Sequence, residues 1–459
     1  MMINTVNDFQ RVFFTGIAGT GMSALAQYLK GIGKDVSGSD RYFQPGVFND
    51  TRHKLEAAGI TCYQQDGSGI TADTQLVIVS AAVEETVPEV IKTRSLNIPI
   101  IKRSELLSMI AKSKKTIAVG GTSGKSTTSA MLFDILEFAG MDPSIISGAG
   151  LVSIIREGKI GNAKVGKGDW LVIEADESDG SIVQYFPEIG LLLNVDKDHK
   201  EIETLMEVFT TFRNNSNRFV VNQSHPLAAK LSQELSNDFC HHADCLAGYV
   251  ARDFHQQGLQ INFSLNHVPF EMKLVGRHNM ENAVAASTIA NLVGVDLAVA
   301  ADALSRYEGI YRRHQVLGQK HGVWLIDDYA HNPAKCAASI QACQPLAFKV
   351  VAWFQPHGYG PTRFLKDDFI KEIAAVLRPQ DEIWMSEIFY AGGTATKDIS
   401  SNELIEGIRM LGGQAWFVED RKDLLEAIRP HLTDNTVLLL MGARDPGLES
   451  FANEVWEKL

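Results

Sequence analysis

The sequence predicts an α/β protein of three domains, each built on a mainly parallel sheet. Three observations predict it. Short apolar runs alternate with helical stretches along the chain, the pattern of strands joined by crossover helices. Two glycine-rich turns, Gly16–Gly21 and Gly120–Gly124, each stand between an apolar run and a helix start. At 459 residues the chain is too long for one ordinary core.

The first element is Arg11–Thr15, a short apolar strand. The turn with Gly16, Gly19 and Gly21 follows, then a helix over Met22–Leu29 that Gly31 and Gly33 stop. A second strand reaches "VSGSD" and ends at Asp40. This is a βαβ opening with an acidic residue where a Rossmann unit places its ribose contact. Strands recur at "QLVIVSAA" and "IPIIKR", which completes a Rossmann-like domain over residues 1–112.

A second domain, 113–314, begins with a strand at Thr116–Gly120. Further strands are expected at Trp170–Asp176 and around Gly190–Asp196, then a β-rich stretch "GLQINFSLNHVPFEMKLVG" and a helix at "HNMENAVAASTIANLVG". A third domain, 315–459, is Rossmann-like again. "GVWLIDDYAHNP" is a strand running into a loop, with Pro333 placed to open the next helix. "KVVAWFQPH", "DEIWMSE", "AWFV" and "TVLLLMGA" are its other strands, with helices such as "KDDFIKEIAAVL" between them.

Composition narrows the function. Hydrophobic residues make up 45% and charged residues 21%, as in ordinary globular proteins. A net charge of -12 argues against a nucleic-acid partner, which needs a basic face. An anionic small ligand remains compatible, because helix N-termini and local cations can hold one. No apolar run approaches the roughly 20 residues that span a bilayer. The opening "MMINTVNDFQ" lacks a basic-then-apolar signal pattern, so a cytoplasmic location and no membrane partner are expected. The five cysteines are scattered and odd in number, which is no disulfide framework, and "CHHADC" reads as incidental clustering.

The central turn, "VGGTSGKSTT", carries the chemistry. Gly121, Thr122 and Gly124 let backbone N–H groups approach phosphate oxygens at a helix N-terminus. Lys125 is placed to reach the β- and γ-phosphates of ATP, and a hydroxyl of Ser126 or Thr127 to hold Mg²⁺. The strict G-x-x-x-x-G-K-[ST] template fails at one position, where Val119 stands. "VIEADESD" puts Glu174, Asp176, Glu177 and Asp179 just past one further strand, and "NVDKDHKE" puts Asp196, Asp198 and His199 just past the next. Ligands gather at the carboxyl ends of strands in parallel sheets, so Lys125, Glu174 and His199 are expected to converge. The N-terminal turn is G-x-x-G-x-G, not the dinucleotide fingerprint G-x-G-x-x-G, and this disfavours a nicotinamide-dependent dehydrogenase. Two phosphate cradles in one chain suit an enzyme whose substrate is itself a nucleotide conjugate.

These motifs, in this order, resemble the Mur ligases, the ATP-dependent amide-forming enzymes of peptidoglycan precursor synthesis. "GIAGTGMSALA" with "VSGSD" resembles their UDP-binding domain, "GGTSGKSTT" their phosphate loop, and "EADESD" and "NVDKDH" their metal-binding segments. "GRHNMENAVAA" is similar to their adenine-contacting helix start. "YRRHQVLG" and "IDDYAHNP" are similar to the segments that complete the ATP site, and "FQPHGYGPTRFLKDDF" is most similar to the branch that adds L-alanine.

The resemblance implies that Lys125, Ser126 and Thr127 hold the ATP phosphates, that Ser126, Glu174 and His199 bind Mg²⁺, and that His278, Asn279 and Asn282 face adenine. It implies Arg313 and Asp328 from a C-terminal domain that closes on ATP. Gly16, Gly19, Gly21, Met22, Ser39 and Asp40 would face UDP-N-acetylmuramate. Asn194, Tyr329 and His357 would bind substrate, and His331 and Arg363 would lie at the acceptor or phosphoryl region. The implied partners are UDP-N-acetylmuramate and an amino acid or short peptide, in a monomer or homodimer. Gly358 and Pro361 depart from the arginines usual in the L-alanine-adding branch, and Asn332 from a usual histidine. The incoming amine therefore stays open between L-alanine and another amino acid or a tripeptide. A nucleotide-binding protein without turnover is the non-enzymatic alternative.

Overall fold

The structure, a computed structural model, describes residues 3–80, 83–178, 180–196, 201–242, 245–390, 396–445 and 447–459. It divides into two compact units. One comprises Met1–Phe254, Asn262–Met272 and His278–Ile310; the other comprises His255–Ile261, Lys273–Arg277 and Tyr311–Leu459.

The first unit begins with a five-stranded parallel sheet: β1 (Arg11–Thr15), β2 (Asp35–Asp40), β3 (Thr61–Gln64), β4 (Leu76–Val79) and β5 (Ile100–Lys102). Their spatial order is β3-β2-β1-β4-β5. The order reverses at β1, so the glycine turn that follows β1 stands at the switch point of the sheet. The expected helix starts earlier than the apolar pattern suggested and runs Thr20–Gly31. Its buried face includes Met22, Leu25 and Leu29, and β1 buries Phe13 and Phe14 completely.

The second sheet holds β6 (Lys115–Gly120), β7 (Ser144–Ile146), β8 (Ala163–Lys164), β9 (Trp170–Glu174), β10 (Ile189–Leu192) and β11 (Arg218–Val221). Its order is β11-β10-β6-β9-β7-β8, parallel except at the β7–β8 edge. Ile117, Ala118 and Val119 are fully buried on β6. A strand covered on both faces reads as a continuous apolar run, and Val119, at the template's first glycine position, belongs to that run. Burying each such valine or isoleucine contributes about 1.5–3 kcal/mol. The β-rich stretch forms β12 (Phe239–Cys240), β13 (Tyr249–Gln257), β14 (Gln260–Leu265) and β15 (Val268–Met272), in that spatial order. The helix at "HNMEN" spans Arg277–Leu292.

The C-terminal sheet holds β16 (Gln315–Lys320), β17 (Val323–Asp328), β18 (Lys349–Gln355), β19 (Glu382–Met385), β20 (Gln414–Phe417) and β21 (Thr436–Gly442). Its order is β16-β17-β21-β18-β19-β20, with β16 antiparallel to β17 and the rest parallel. All seven residues of β21 are buried, as a central strand requires. Among the described residues no helix is long and apolar enough to cross a membrane.

Candidate active site

The phosphate loop lies between the middle strands of the second sheet. β6 ends at Gly120, the chain turns through Gly121–Gly124, and the helix Lys125–Phe138 begins. Gly124 takes a left-handed conformation, φ +83°, which lets the loop enter the helix. The Lys125 ammonium bonds to the Gly121 carbonyl at 2.6 Å and to Glu177 Oε2 at 2.7 Å. Both side chains are largely shielded, 17% and 5% exposed.

The flanking strands deliver the remaining polar groups. Glu174 closes β9, and its Oε2 accepts from the Ser126 hydroxyl at 2.9 Å. Its Oε1 accepts from the Ser147 hydroxyl at 2.6 Å and from the Gly148 amide at 2.7 Å. Three donors fix this carboxylate beside the helix N-terminus. On the other side, past β10, Asn194 Oδ1 accepts from the Thr122 hydroxyl and the Ser123 amide, each at 2.9 Å. Burial opposes charge on Asp176, but bonds from Ser178 and the Lys125 and Arg103 cations hold it below the usual carboxylate range. Ser126 Oγ and Glu174 are hard oxygen donors side by side, a set that suits Mg²⁺ as a partial shell. Among the described residues no group of three or more His, Cys, Asp or Glu side chains is arranged to hold a metal. His199 lies outside the described residues, as do Asp179 and Asp198 of the acidic segments.

Asn282 sits directly against the phosphate loop. Its Oδ1 accepts from the Thr128 hydroxyl at 3.2 Å, and a Cβ on Gly124 would lie 2.5 Å from that oxygen. Asn279 is buried, His278 is exposed, and Thr127 is half-buried beside Ser126.

At the switch point of the first sheet, Asp40 braces the glycine turn. Its Oδ2 accepts from the Ala18 amide at 3.0 Å and its Oδ1 from the Tyr42 amide at 3.1 Å. The Gly16 and Ile17 amides donate to the Ser39 carbonyl. Asp40 and the Ser39 backbone thus hold the turn's shape. Ser39 Oγ is buried with no partner among the described residues. Met22 is 3% exposed and points into the core, so only its backbone is available at the turn. Gly19 opens the helix as its N-cap. Arg103, which the motifs did not single out, packs on Gly21: a Cβ there would meet its guanidinium at 2.8 Å. A cation thus stands at an N-terminus already suited to anions.

The second unit gathers its polar groups past the carboxyl ends of β17, β21 and β18. His331 Nδ1 lies 2.9 Å from the Tyr329 carbonyl. A carbonyl only accepts, so Nδ1 carries the proton and Nε2 keeps its lone pair. Burial, with Lys335, His357 and Arg313 nearby, pushes His331 down to about 4. The His331 and His357 ring centres stand 5.8 Å apart, and the Tyr329 ring centre lies 5.7 Å from that of His331. The Arg313 guanidinium lies over the Tyr329 ring at 5.3 Å, within cation–π range.

Neighbours of Arg313 are locked inward. Arg312 forms a two-pronged contact with Asp327, at 2.8 and 3.2 Å, and reaches the Gly442 carbonyl at 3.1 Å. His314 Nδ1 lies 3.3 Å from Asp328 Oδ2, and its Nε2 lies 3.5 Å from Cys343 Sγ. Asp328 also accepts from the Ser339 hydroxyl at 2.6 Å. Asp328 is therefore buried and committed to His314 and Ser339. Asn332, not His331, caps the next helix, accepting from the Lys335 amide at 2.9 Å. Arg363 is exposed and engaged by Asp398 and the Thr396 carbonyl. No described contact joins it to His331 or His357. Gly358 has φ +72°, and a Cβ there would meet the Pro361 ring at 3.3 Å.

This fold and this loop define a class: an α/β protein with a phosphate loop at the heart of its central sheet and a separate switch-point cradle in its N-terminal one. Three family models match in order. They are the Mur ligase family catalytic domain over residues 11–115, the Mur ligase middle domain over 119–290, and the Mur ligase glutamate ligase domain over 312–444. A UDP-N-acetylmuramate–L-alanine ligase of Anaeromyxobacter is 33% identical over 450 residues, 95% of each chain. The chain belongs to the Mur ligase family. Its fold matches a UDP-N-acetylmuramate–alanine ligase of Thermotoga maritima with TM-score 0.80 and 24% identity, covering 98% and 99% of the two chains. A murein peptide ligase of Psychrobacter arcticus matches with TM-score 0.67 and 21% identity, covering 98% of each.

Proposed function

We propose that this protein is an ATP-dependent ligase that joins L-alanine to the carboxylate of UDP-N-acetylmuramate, giving ADP and phosphate, in peptidoglycan precursor synthesis. The observation that carries the reading is the phosphate loop, where Lys125, Ser126 and Glu174 meet between β10 and β9 in a chain matched end to end by such ligases. Domain limits of 1–112, 113–314 and 315–459 fit it, with the uridine nucleotide on the first and the amine on the third. Dependence on ATP and a UDP-sugar suits the cytoplasm.

Phosphoryl transfer needs positioning and charge neutralisation more than covalent help. Lys125 exchanges Glu177 for phosphate oxygens, and the loop amides line the same anion. Ser126 and Glu174, with His199 as the family resemblance implies, would hold Mg²⁺, which would neutralise phosphate charge. The substrate carboxylate attacks the γ-phosphorus, the bond to ADP breaks, and an acyl phosphate forms. The incoming amine attacks its acyl carbon and phosphate leaves. His331 Nε2, unprotonated at neutral pH, takes the amine's proton. Gly16, Gly19, Gly21 and Arg103 hold the uridine diphosphate as a remote handle that positions the carboxylate.

The test is phosphate release with ATP, Mg²⁺ and UDP-N-acetylmuramate against a panel of amino acids and short peptides. Release that requires L-alanine supports the reading; release with no amine, or with none of the panel, overturns it. A second reading, with another amino acid or a tripeptide as the amine, is favoured by one observation: Gly358 and Pro361 leave that loop without a free cation. Release with that amine alone would select it.

A further inference from the structure

An amino acid that serves as an amine brings a carboxylate with it. That carboxylate has to be held while the nitrogen reacts. The loop 358–363 supplies no free cation, because its one arginine, Arg363, is engaged by Asp398 and the Thr396 carbonyl. Arg313 is stacked over Tyr329, and Arg312 is buried on Asp327.

One cation stands differently. Arg444 has φ +62°, a left-handed conformation uncommon for a side chain of its size. It is exposed, and among the described residues no carboxylate pairs with it. Its neighbour Asp445 turns the other way, pairing with Arg421 and accepting from the Gly447 amide at 2.8 Å. The strained turn thus separates the two charges, one inward and one outward.

Register fixes where Arg444 lies. β18 and β21 are paired up to Gln355↔Gly442, so His357 and Arg444 each follow two residues beyond the same pair. β17 is paired to β21 up to Asp328↔Met441, which brings Tyr329 and His331 to the same end of the sheet. His357 Nδ1 is buried there with no hydrogen-bond partner among the described residues. Arg444 also opposes protonation of His357, in line with their closeness, after the larger effect of burial. A guanidinium and an unpartnered imidazole nitrogen, beside a histidine with a free lone pair, match a zwitterion: carboxylate to the first two, amine to the third.

We propose that Arg444, with His357, binds the carboxylate of the incoming amino acid. This rests on the ligase reading above. The experiment compares L-alanine with L-alaninamide, which has the amine but no carboxylate, as acceptors for the wild type, Arg444→Gly and Arg444→Gln, by initial rates of phosphate release. Glycine suits a positive φ, so Arg444→Gly is expected to melt no lower than the wild type. Arg444→Gln keeps length without charge and carries the test should the glycine variant lose its fold. The expected result is a KM for L-alanine raised about 10-fold or more, with kcat and the KM for L-alaninamide moved less than about 3-fold. A general structural defect would move both acceptors together. Unchanged discrimination between the two acceptors in an active enzyme overturns the Arg444 site alone. A wild type with no amine-dependent release overturns the ligase reading and the site with it.

Discussion

The Lys125 ammonium sits 2.7 Å from the Glu177 carboxylate, with the Gly121 carbonyl at 2.6 Å on its other flank. The lysine is thus held in the loop it has to serve. Lys125→Ala deletes the only loop cation, so phosphate release is expected to fall by about 10²–10³-fold or more, the effect of losing one charge-stabilising donor. Binding of the UDP-sugar to the N-terminal domain, read by calorimetry, should stay within about 2-fold. Unchanged ADP production by this variant would sink the assignment.

Gly124 takes φ +83°, and a Cβ there would lie 2.5 Å from Asn282 Oδ1. Gly124→Ala therefore adds left-handed strain to a clash that displaces Asn282 from Thr128. A loss of about 1–3 kcal/mol is expected. Thermal melts check it, and Gly140→Ala is the control, since it shares a positive φ with nothing within 4 Å. Equal losses in both would show that Asn282 is not the obstacle.

His314 gives the protein an alkaline limit. Burial opposes its charge, but Cys343 and the bond to Asp328 outweigh burial and push it up to about 10. A histidine raised in the folded state stabilises fully below its unfolded value of about 6.5 and loses that contribution as pH rises through its folded value. Melting temperature is expected to fall between pH 6.5 and 10, and His314→Gln should flatten that fall. His331, depressed to about 4, acts in the opposite sense. The unfolded chain binds its proton first, so stability is lost as pH drops from about 6.5 to 4. In His331→Asn that acid loss should shrink while the alkaline one stays.

Gly358 and Pro361 belong together. The glycine has φ +72°, and the proline ring fills the space its Cβ would need. Arg introduced at 358 alone is expected to destabilise by about 1–2 kcal/mol from backbone strain. In a C-terminal domain of this size that lowers the melting temperature by several degrees. Placing it together with Pro361→Gly should recover part of the loss. No recovery in the double variant would show that the proline does not set the loop.

Some of the site was legible because it is local. A strand, glycines and Gly-Lys-Ser opening a helix is a single stretch of chain, and short-range sterics and helix-end hydrogen bonding specify it. Glu174 followed from the rule that ligands collect at strand ends, since each strand's apolar run marks its own end. Pro333 marked the start of a helix, but that Asn332 caps it came from the structure. Met22 matched a motif, but its side chain is committed to the core.

By itself, then, the sequence determined the α/β class, the order of the strands along the chain, the phosphate loop and the family, because these depend on local periodicity, turn chemistry and motif order. Only the tertiary structure decided which strands are neighbours. That choice put Arg103 against Gly21, tied His314 to Asp328 and Cys343, engaged Arg363 with Asp398, and left Arg444 outward beside His357. These pairs lie between 29 and 87 residues apart in sequence, apart from Asp328 and His314 at 14. No local pattern encodes such pairings; they exist once burial of the apolar strand faces fixes the sheet order and brings the strand ends together.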